Sequence, residues 1–302
     1  MIVGVPKEVK TAEHRVALTP VGVRELIDNG HSVLIEQGVG EGSMILDADF
    51  EAQGAKIVDA ARDVFDASEM ILKVKEPQKS EVEMFKEGQT LFTFLHLAAY
   101  PDLAAGLAKR GIVTIAYETV QLPDGSLPLL APMSEIASRM ATQAGAYFLE
   151  RTQGGRGILL GGVAGVSPAK IVVIGAGMAG SNAAVIAMGM QAEVVVLDTD
   201  INKLRAIDSL YEGRISTLHS NRLTLEDQVL NADLVIGAVL IPGASAPKLV
   251  TEDMVRSMKP GAVLVDVAID QGGVFRDLER NHPHRSCLRR SRCGPLRGWE
   301  YS

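Results

Sequence analysis

Residues 170–200 read KIVVIGAGMAGSNAAVIAMGMQAEVVVLDTD. Four apolar, β-rich residues, Ile171 to Ile174, lead into Gly175, Gly177 and Gly180, spaced GxGxxG, and an apolar helical stretch follows. A second β-rich run, EVVVLD, ends in Asp198, 23 positions after the first glycine. Glycine makes up about a tenth of the chain, so the spacing alone says little. The order strand, glycine turn, helix, strand, acid is specific for a dinucleotide-binding βαβ unit. The first glycine permits the tight turn, the second admits a pyrophosphate to the backbone, and the third lets helix pack on strand. The helix N-terminus offers unpaired N–H groups to phosphate. Asp198 suits the adenosine ribose hydroxyls and disfavours a 2′-phosphate, which points to NAD rather than NADP. The same stretch is too interrupted by Ser181, Asn182, Gln191 and glycines to cross a membrane.

Outward from this unit the chain alternates in the same way. ADLVIGAVL and AVLVDVAID read as further strands, with a helix at EDMVRSMK between them. Upstream, IVGVP, HSVLIEQ, MILKVK, TLFTFLH and GIVTIAYE are strand-length runs separated by helical patterns. One of these, TPVGVRELIDNG, has Thr19 placed to cap it, Pro20 at its first position and Gly30 to close it. The turn-rich segment QLPDGSLPLLAP at 121–132 breaks the pattern, and Ser134 is read as capping a long connecting helix. The fold class expected is therefore α/β: two doubly wound, parallel-sheet, Rossmann-like domains with an interdomain cleft. Residues 1–133 form a substrate domain and 134–275 an NAD-binding domain.

Composition agrees. The 302 residues are 47% hydrophobic and only 4% aromatic, which suits aliphatic parallel sheets. The net charge of −7 and the lack of a basic stripe along the main body argue against nucleic acid. The N-terminus MIVGVPKEVK reads as a strand and charged loop rather than a signal segment, so a soluble, cytoplasmic protein is expected. Residues 276–302 depart from all this, with seven arginines, no lysine, and both cysteines and the only tryptophan of the chain. They read as a disordered tail, a foreign segment or an out-of-frame reading, and the abrupt shift points most to the last. His282, His284, Cys287 and Cys293 fit no common structural-zinc spacing, so no metal is expected.

Ligands of wound sheets sit at the carboxyl ends of strands. Arg15, Lys75, His96 and Glu118 all fall at or after such ends in the first half. Taken singly, each has a bland reading: a solvated arginine, a strand-end lysine, a core histidine, a surface acid. Together the three basic groups describe a pocket for a small anion. Arginine presents a carboxylate with a bidentate fork, lysine adds a point charge, and histidine can pass a proton near neutrality. Asp270, ending AVLVDVAID, is either a base or a turn-initiating aspartate before glycine. Lys73 and Lys75 alternate on one face of the MILKVK run, and sequence alone does not divide their roles.

The segments VGVPKEVKTAEHRVALTP, ILKVKEP, TLFTFLHLA, VVIGAGMAG and VVLDTD, in that order, closely resemble the alanine dehydrogenase family over about residues 1–273. The resemblance implies interconversion of L-alanine with pyruvate and ammonia by hydride transfer with NAD, in a homo-hexamer. It implies that Arg15 and Lys75 bind the substrate carboxylate and polarise its carbonyl. His96 and Asp270 would be the proton-transfer pair around the carbinolamine and iminium stages. Ser134, Asp198, Lys203, Ser220, Val239, Leu240, Val267, Ile269 and Asp270 match cofactor-lining positions, beside Gly175, Gly177 and Gly180. Lys75 then matches the substrate lysine, and Lys73 is expected to be structural or interfacial. The transhydrogenase NAD-binding subunit is a related alternative, but a histidine in TFLH together with LKVKEP favours the dehydrogenase. A truncated, non-catalytic NAD-binding protein is the other alternative, because 276–302 matches neither the segment nor the long helix that follow in the family.

Overall fold

The computed structural model describes residues 1–239, 246–269, 273–275 and 287–289. The chain divides into two units, Met1–Leu129 and Leu130–Ser302. In the first, six strands form one parallel sheet: β1 (Ile2–Val5), β2 (Ser32–Glu36), β3 (Lys56–Val58), β4 (Met70–Leu72), β5 (Thr90–Thr93) and β6 (Val113–Ala116). Their order is β3-β2-β1-β4-β5-β6. Successive side chains go to opposite faces, as strand geometry requires. Ile71 and Leu91 pack with Phe65, Phe85 and Leu107 on one side. Val3, Val5, Ile35 and Leu72 pack with Val23 and Phe50 on the other.

The second unit holds β7 (Lys170–Ile174), β8 (Glu193–Asp198), β9 (Ser216–His219), β10 (Leu234–Gly237), β11 (Val263–Asp266) and β12 (Cys287–Arg289). The order is β12-β11-β10-β7-β8-β9, with β12 antiparallel to β11 and the other pairs parallel. Ile171, Val173, Val196 and Ile236 face one core, and Val172, Ile174, Val195 and Val235 face the other. The helix Ala131–Leu149 lies on the first of these faces. Its Gly145 is so close to Leu234 that a Cβ would stand 2.4 Å from that side chain, so no larger residue fits without displacement. Counted from their own first strands, both sheets run third, second, first, fourth, fifth, sixth. That is the doubly wound order, and its switch points fall between β1 and β4 and between β7 and β10.

The two-sheet α/β reading holds, and so do the ends of the first helix. Thr19 caps Pro20–Asp28 through Gly22 N–H, Pro20 starts it, and Gly30 follows at φ 80°. Three details differ. Ser134 is not a cap: the long helix begins at Ala131 after Leu130, with Pro132 in its first turn, and Ser134 is already helical. The strand MILKVK stops at Leu72, because the Val74 N–H turns to the Glu8 carboxylate (2.6 Å) and Pro77 then blocks extension. Strands β3 and β9 have no counterpart in the sequence reading. Of the 276–302 segment, only the backbone of β12 is described.

Candidate active site

A chain of backbone hydrogen bonds gathers the carboxyl edge of the second sheet. Ser220 N–H donates to Asp198 O (2.9 Å), Gly175 N–H to Leu197 O (2.7 Å), Ala238 N–H to Ile174 O (2.8 Å) and Val267 N–H to Gly237 O (2.9 Å). Asp198, Ser220, Val239 and Val267 thus share one edge with the glycine turn. Ile269 is half-buried two residues beyond Val267, and Lys203 lies exposed on the helix Ile201–Tyr211 that follows β8. Ser134 sits in the first turns of the long helix, where its carbonyl accepts the Ser138 hydroxyl.

The glycines behave as a nucleotide turn requires. Gly175 has φ 107°, and a Cβ there would lie 2.8 Å from Ala238 O. A Cβ at Gly180 would fall 1.7 Å from Gly175 O, whereas one at Gly177 meets open space. The third glycine therefore permits the turn–helix contact, and the second leaves the approach clear. No side chain caps the helix Met178–Gly189 at Gly177, so its first N–H groups remain available to an anion. Asp198 accepts N–H bonds from Ala176 (2.6 Å) and Asp200 (2.8 Å), which fixes its carboxylate at the lip of the turn. These residues fit a dinucleotide.

In the first unit the strand ends deliver four polar side chains to neighbouring positions of one sheet edge. Arg15, in the loop after β1, is held by Glu13. Nε donates at 2.8 Å, one terminal nitrogen at 2.5 Å, and the Arg15 backbone N–H at 3.0 Å. Burial pushes the Glu13 carboxyl up. The hydrogen bonds and charge of Arg15, with a further pull from the Lys75 ammonium, overcome this and hold it below the usual glutamate value. Both cations therefore act on one carboxylate.

Lys75 is half-buried in the bend after β4, its carbonyl accepting from Thr93 Oγ1 (3.0 Å). His96 follows β5 in the left-handed region, φ 47° and ψ 39°. For a non-glycine residue that conformation is uncommon and persists where surroundings enforce it. Here Glu118, in the single turn Tyr117–Thr119 after β6, accepts the N–H groups of His96 (2.7 Å) and Leu95 (3.2 Å). The imidazole lies parallel to Phe94, centroids 6.1 Å apart.

The sequence reading missed the acids behind these groups. Lys73 is fully buried between Glu8 (2.9 Å) and Glu81 (2.7 Å), each carboxylate side chain only 3% exposed. Burial raises the Glu8 carboxyl, and the Lys73 charge and Val74 N–H offset only part of that. Burial, and then the Glu8 charge, likewise raise the Tyr117 phenol. Lys73 is thus structural, as expected. Beneath the second sheet's edge, Asp266 is 1% exposed, and burial lifts its carboxyl to about 6 against the pull of N–H bonds from Val274, Ala268 and Phe275 and the Lys248 charge. The signal for Glu8 and Glu13 was their place three and eight residues after Val5, in the loop at the carboxyl end of β1. Asp270 and Leu240 lie outside the described residues, as do His282, His284 and Cys293. Among the described residues no group of three or more His, Cys, Asp or Glu could hold a metal.

Two family models match: alanine dehydrogenase/PNT, N-terminal domain, over residues 4–137, and alanine dehydrogenase/PNT, C-terminal domain, over 141–291. The second match runs past Phe275, into the segment whose composition sets it apart. An alanine dehydrogenase of Methanococcus maripaludis is 55% identical over 94% of this chain and 76% of its own length. One of Mycobacterium tuberculosis is 59% identical over 94% and 77%. A solved L-alanine dehydrogenase superposes with a TM-score of 0.86 at 48% identity, covering 92% of this chain and 77% of that one. A transhydrogenase of Sinorhizobium meliloti gives 0.79 at 30% identity, over 92% and 82%. With a glycine turn and acid on one sheet, Arg15 and Lys75 at strand ends of the other, and relatives this close over most of its length, the chain belongs to the alanine dehydrogenase/PNT family.

Proposed function

We propose that the protein is an NAD-dependent dehydrogenase that interconverts L-alanine with pyruvate and ammonia. The observation that carries this reading is the placement of Arg15, paired with Glu13, and of Lys75 in the segments that follow the neighbouring strands β1 and β4, at the switch point of the first sheet, where the charge of both cations lowers the Glu13 carboxyl. Two cations that already share a carboxylate's field are placed to receive the carboxylate of an amino or oxo acid. The relatives at 55–59% identity are alanine dehydrogenases, which favours the dehydrogenase over the transhydrogenase likeness at 30%.

Residues 1–133 supply the substrate groups in this reading and 134–275 the cofactor groups. Gly175, Gly177, Gly180, Asp198, Lys203, Ser220, Ser134, Val239, Leu240, Val267 and Ile269 hold NAD, which when bound accepts hydride from the alanine Cα. Arg15 and Lys75 bind the substrate carboxylate and polarise its carbonyl, so that the Cα–H keeps one orientation. A ring nitrogen of His96 takes and returns the proton, and Glu118 holds His96 in its left-handed turn by accepting its backbone N–H. Asp270 shares the proton transfer with His96. We further propose a cytoplasmic homo-oligomer, a hexamer by resemblance to the family, with no nucleic-acid or membrane partner. Among the described residues no helix is long and apolar enough to cross a membrane.

The test is NADH consumption with pyruvate and ammonium ion, run against glyoxylate and 2-oxobutyrate. Consumption that needs both pyruvate and ammonium supports the reading. Bound NADH with no consumption on any of these acids contradicts it.

A further inference from the structure

Lys75 belongs to a short bend whose backbone is held from two sides. On the β5 side, Lys73 N–H donates to Phe92 O (3.2 Å), Phe94 N–H to Val74 O (3.3 Å) and Thr93 Oγ1 to Lys75 O (3.0 Å). On the other side stands the loop after β1, the loop that carries Arg15. Glu8 of that loop accepts the Val74 N–H with Oε1 (2.6 Å) and the Lys73 ammonium with Oε2 (2.9 Å). Two residues on, Lys10 reaches across to Glu76 Oε1 (2.5 Å). The residues on both sides of Lys75 are thus tied to the loop holding Arg15. Glu8 makes the buried tie and Lys10 the outer one.

A buried Glu–Lys–Glu cluster is a poor way to gain stability, because desolvation offsets much of the attraction and apolar residues of similar size do as well or better. What such a cluster supplies is direction. A carboxylate that must satisfy one backbone N–H and one ammonium accepts few geometries. We propose that Glu8 is a positioning residue for substrate binding: by clasping Lys73 and Val74 from the Arg15 loop, it sets the spacing between the Lys75 and Arg15 side chains that receive one carboxylate. This rests on the reading of Arg15 and Lys75 as the substrate's anchors. Glu8 does not touch the substrate, and it acts through the bend that bears Lys75.

The experiment measures pyruvate binding to the full chain loaded with NADH, without ammonium, by NADH fluorescence. Glu8→Ala, Glu8→Gln, Lys75→Ala and the double variant Glu8→Ala/Lys75→Ala are compared, with NADH affinity as control. Glu8→Ala is expected to weaken pyruvate binding about tenfold or more and leave NADH binding within about twofold, since a misplacement near 1 Å carries such losses. Glu8→Gln keeps an oxygen for Val74 N–H and should show a smaller loss. In the Lys75→Ala background the Glu8 change should cost nothing further, the mark of action through Lys75. Wild-type pyruvate affinity in Glu8→Ala, or the same loss again in the Lys75→Ala background, overturns the proposal. If Glu8→Ala does not fold, unchanged pyruvate affinity in Glu8→Gln overturns it instead. Unchanged affinity in Lys75→Ala alone sinks the substrate reading beneath, and this proposal with it. A loss in Lys75→Ala with none in the Glu8 variants removes the proposal and leaves that reading standing.

Discussion

Replacing Lys73 by methionine removes one ammonium from between two buried carboxylates. At contacts of 2.7 and 2.9 Å, and an effective dielectric near 20, each pair corresponds to roughly 6 kcal/mol of attraction before desolvation is subtracted. Once the ammonium is gone, the Glu8 and Glu81 side chains, each 3% exposed, have no counter-ion and must take up protons or draw in water. Breaking a buried pair in this way costs about 3–5 kcal/mol. The sign with pH follows. Carboxyls whose folded pKa is raised stabilise the fold below their unfolded value and lose that contribution as pH rises through the folded one. The Lys73→Met deficit should therefore be largest at pH 7 and above, and shrink towards pH 5. The assay is urea unfolding followed by far-UV circular dichroism at both pH values, with Glu8→Gln/Lys73→Met/Glu81→Gln beside it. The triple variant buries no charge at these positions and should recover most of the loss. A single variant within about 1 kcal/mol of wild type at pH 7 would show that Lys73 does not neutralise the two carboxylates, since a buried triad cannot lose its cation so cheaply.

Lys75→Ala, folded as wild type, should lower kcat/KM for alanine by about a hundredfold or more through lost orientation, read from initial rates. Asp198→Ala should weaken NAD binding about tenfold or more, the scale of a hydrogen bond to a charged group, and leave pyruvate binding at saturating NADH unchanged; calorimetry measures both. For Asp266, with its carboxyl raised to about 6, the folded state holds its proton more firmly than the unfolded chain. Its contribution is present below about pH 4 and is lost as pH rises through 6. Relative to Asp266→Asn, wild-type stability should fall by up to about 3 kcal/mol between pH 4 and 7. A pH-independent difference in urea midpoints would contradict the burial account.

Local chemistry was legible where a residue's job is set by its neighbours in the chain. The glycine turn, Asp198 and the Thr19–Pro20 helix start are such cases, and all stand where the pattern put them. The strands KIV and STLH were not, since three or four half-exposed residues carry no usable period. Ser134 misled because a serine before an apolar helical run looks like a cap, while Pro132 had already started the helix a turn earlier. Lys73 and Lys75 illustrate the deeper limit. Alternation alone treats them alike, and what separates them is Glu8, 65 positions away in sequence, together with Glu81 and Glu13. Such pairings are created by the sheet order and cannot be read from spacing. The resemblance to the family separated the two lysines where spacing did not.

Dehydrogenase activity is read from NADH absorbance on mixing the purified chain, NAD and L-alanine at alkaline pH, with D-alanine and the Lys75→Ala variant as controls. NADH should form with L-alanine and not with D-alanine, and the signal should be lost in Lys75→Ala. NAD bound with no NADH formed from L-alanine, or equal turnover in Lys75→Ala, would contradict the proposed function.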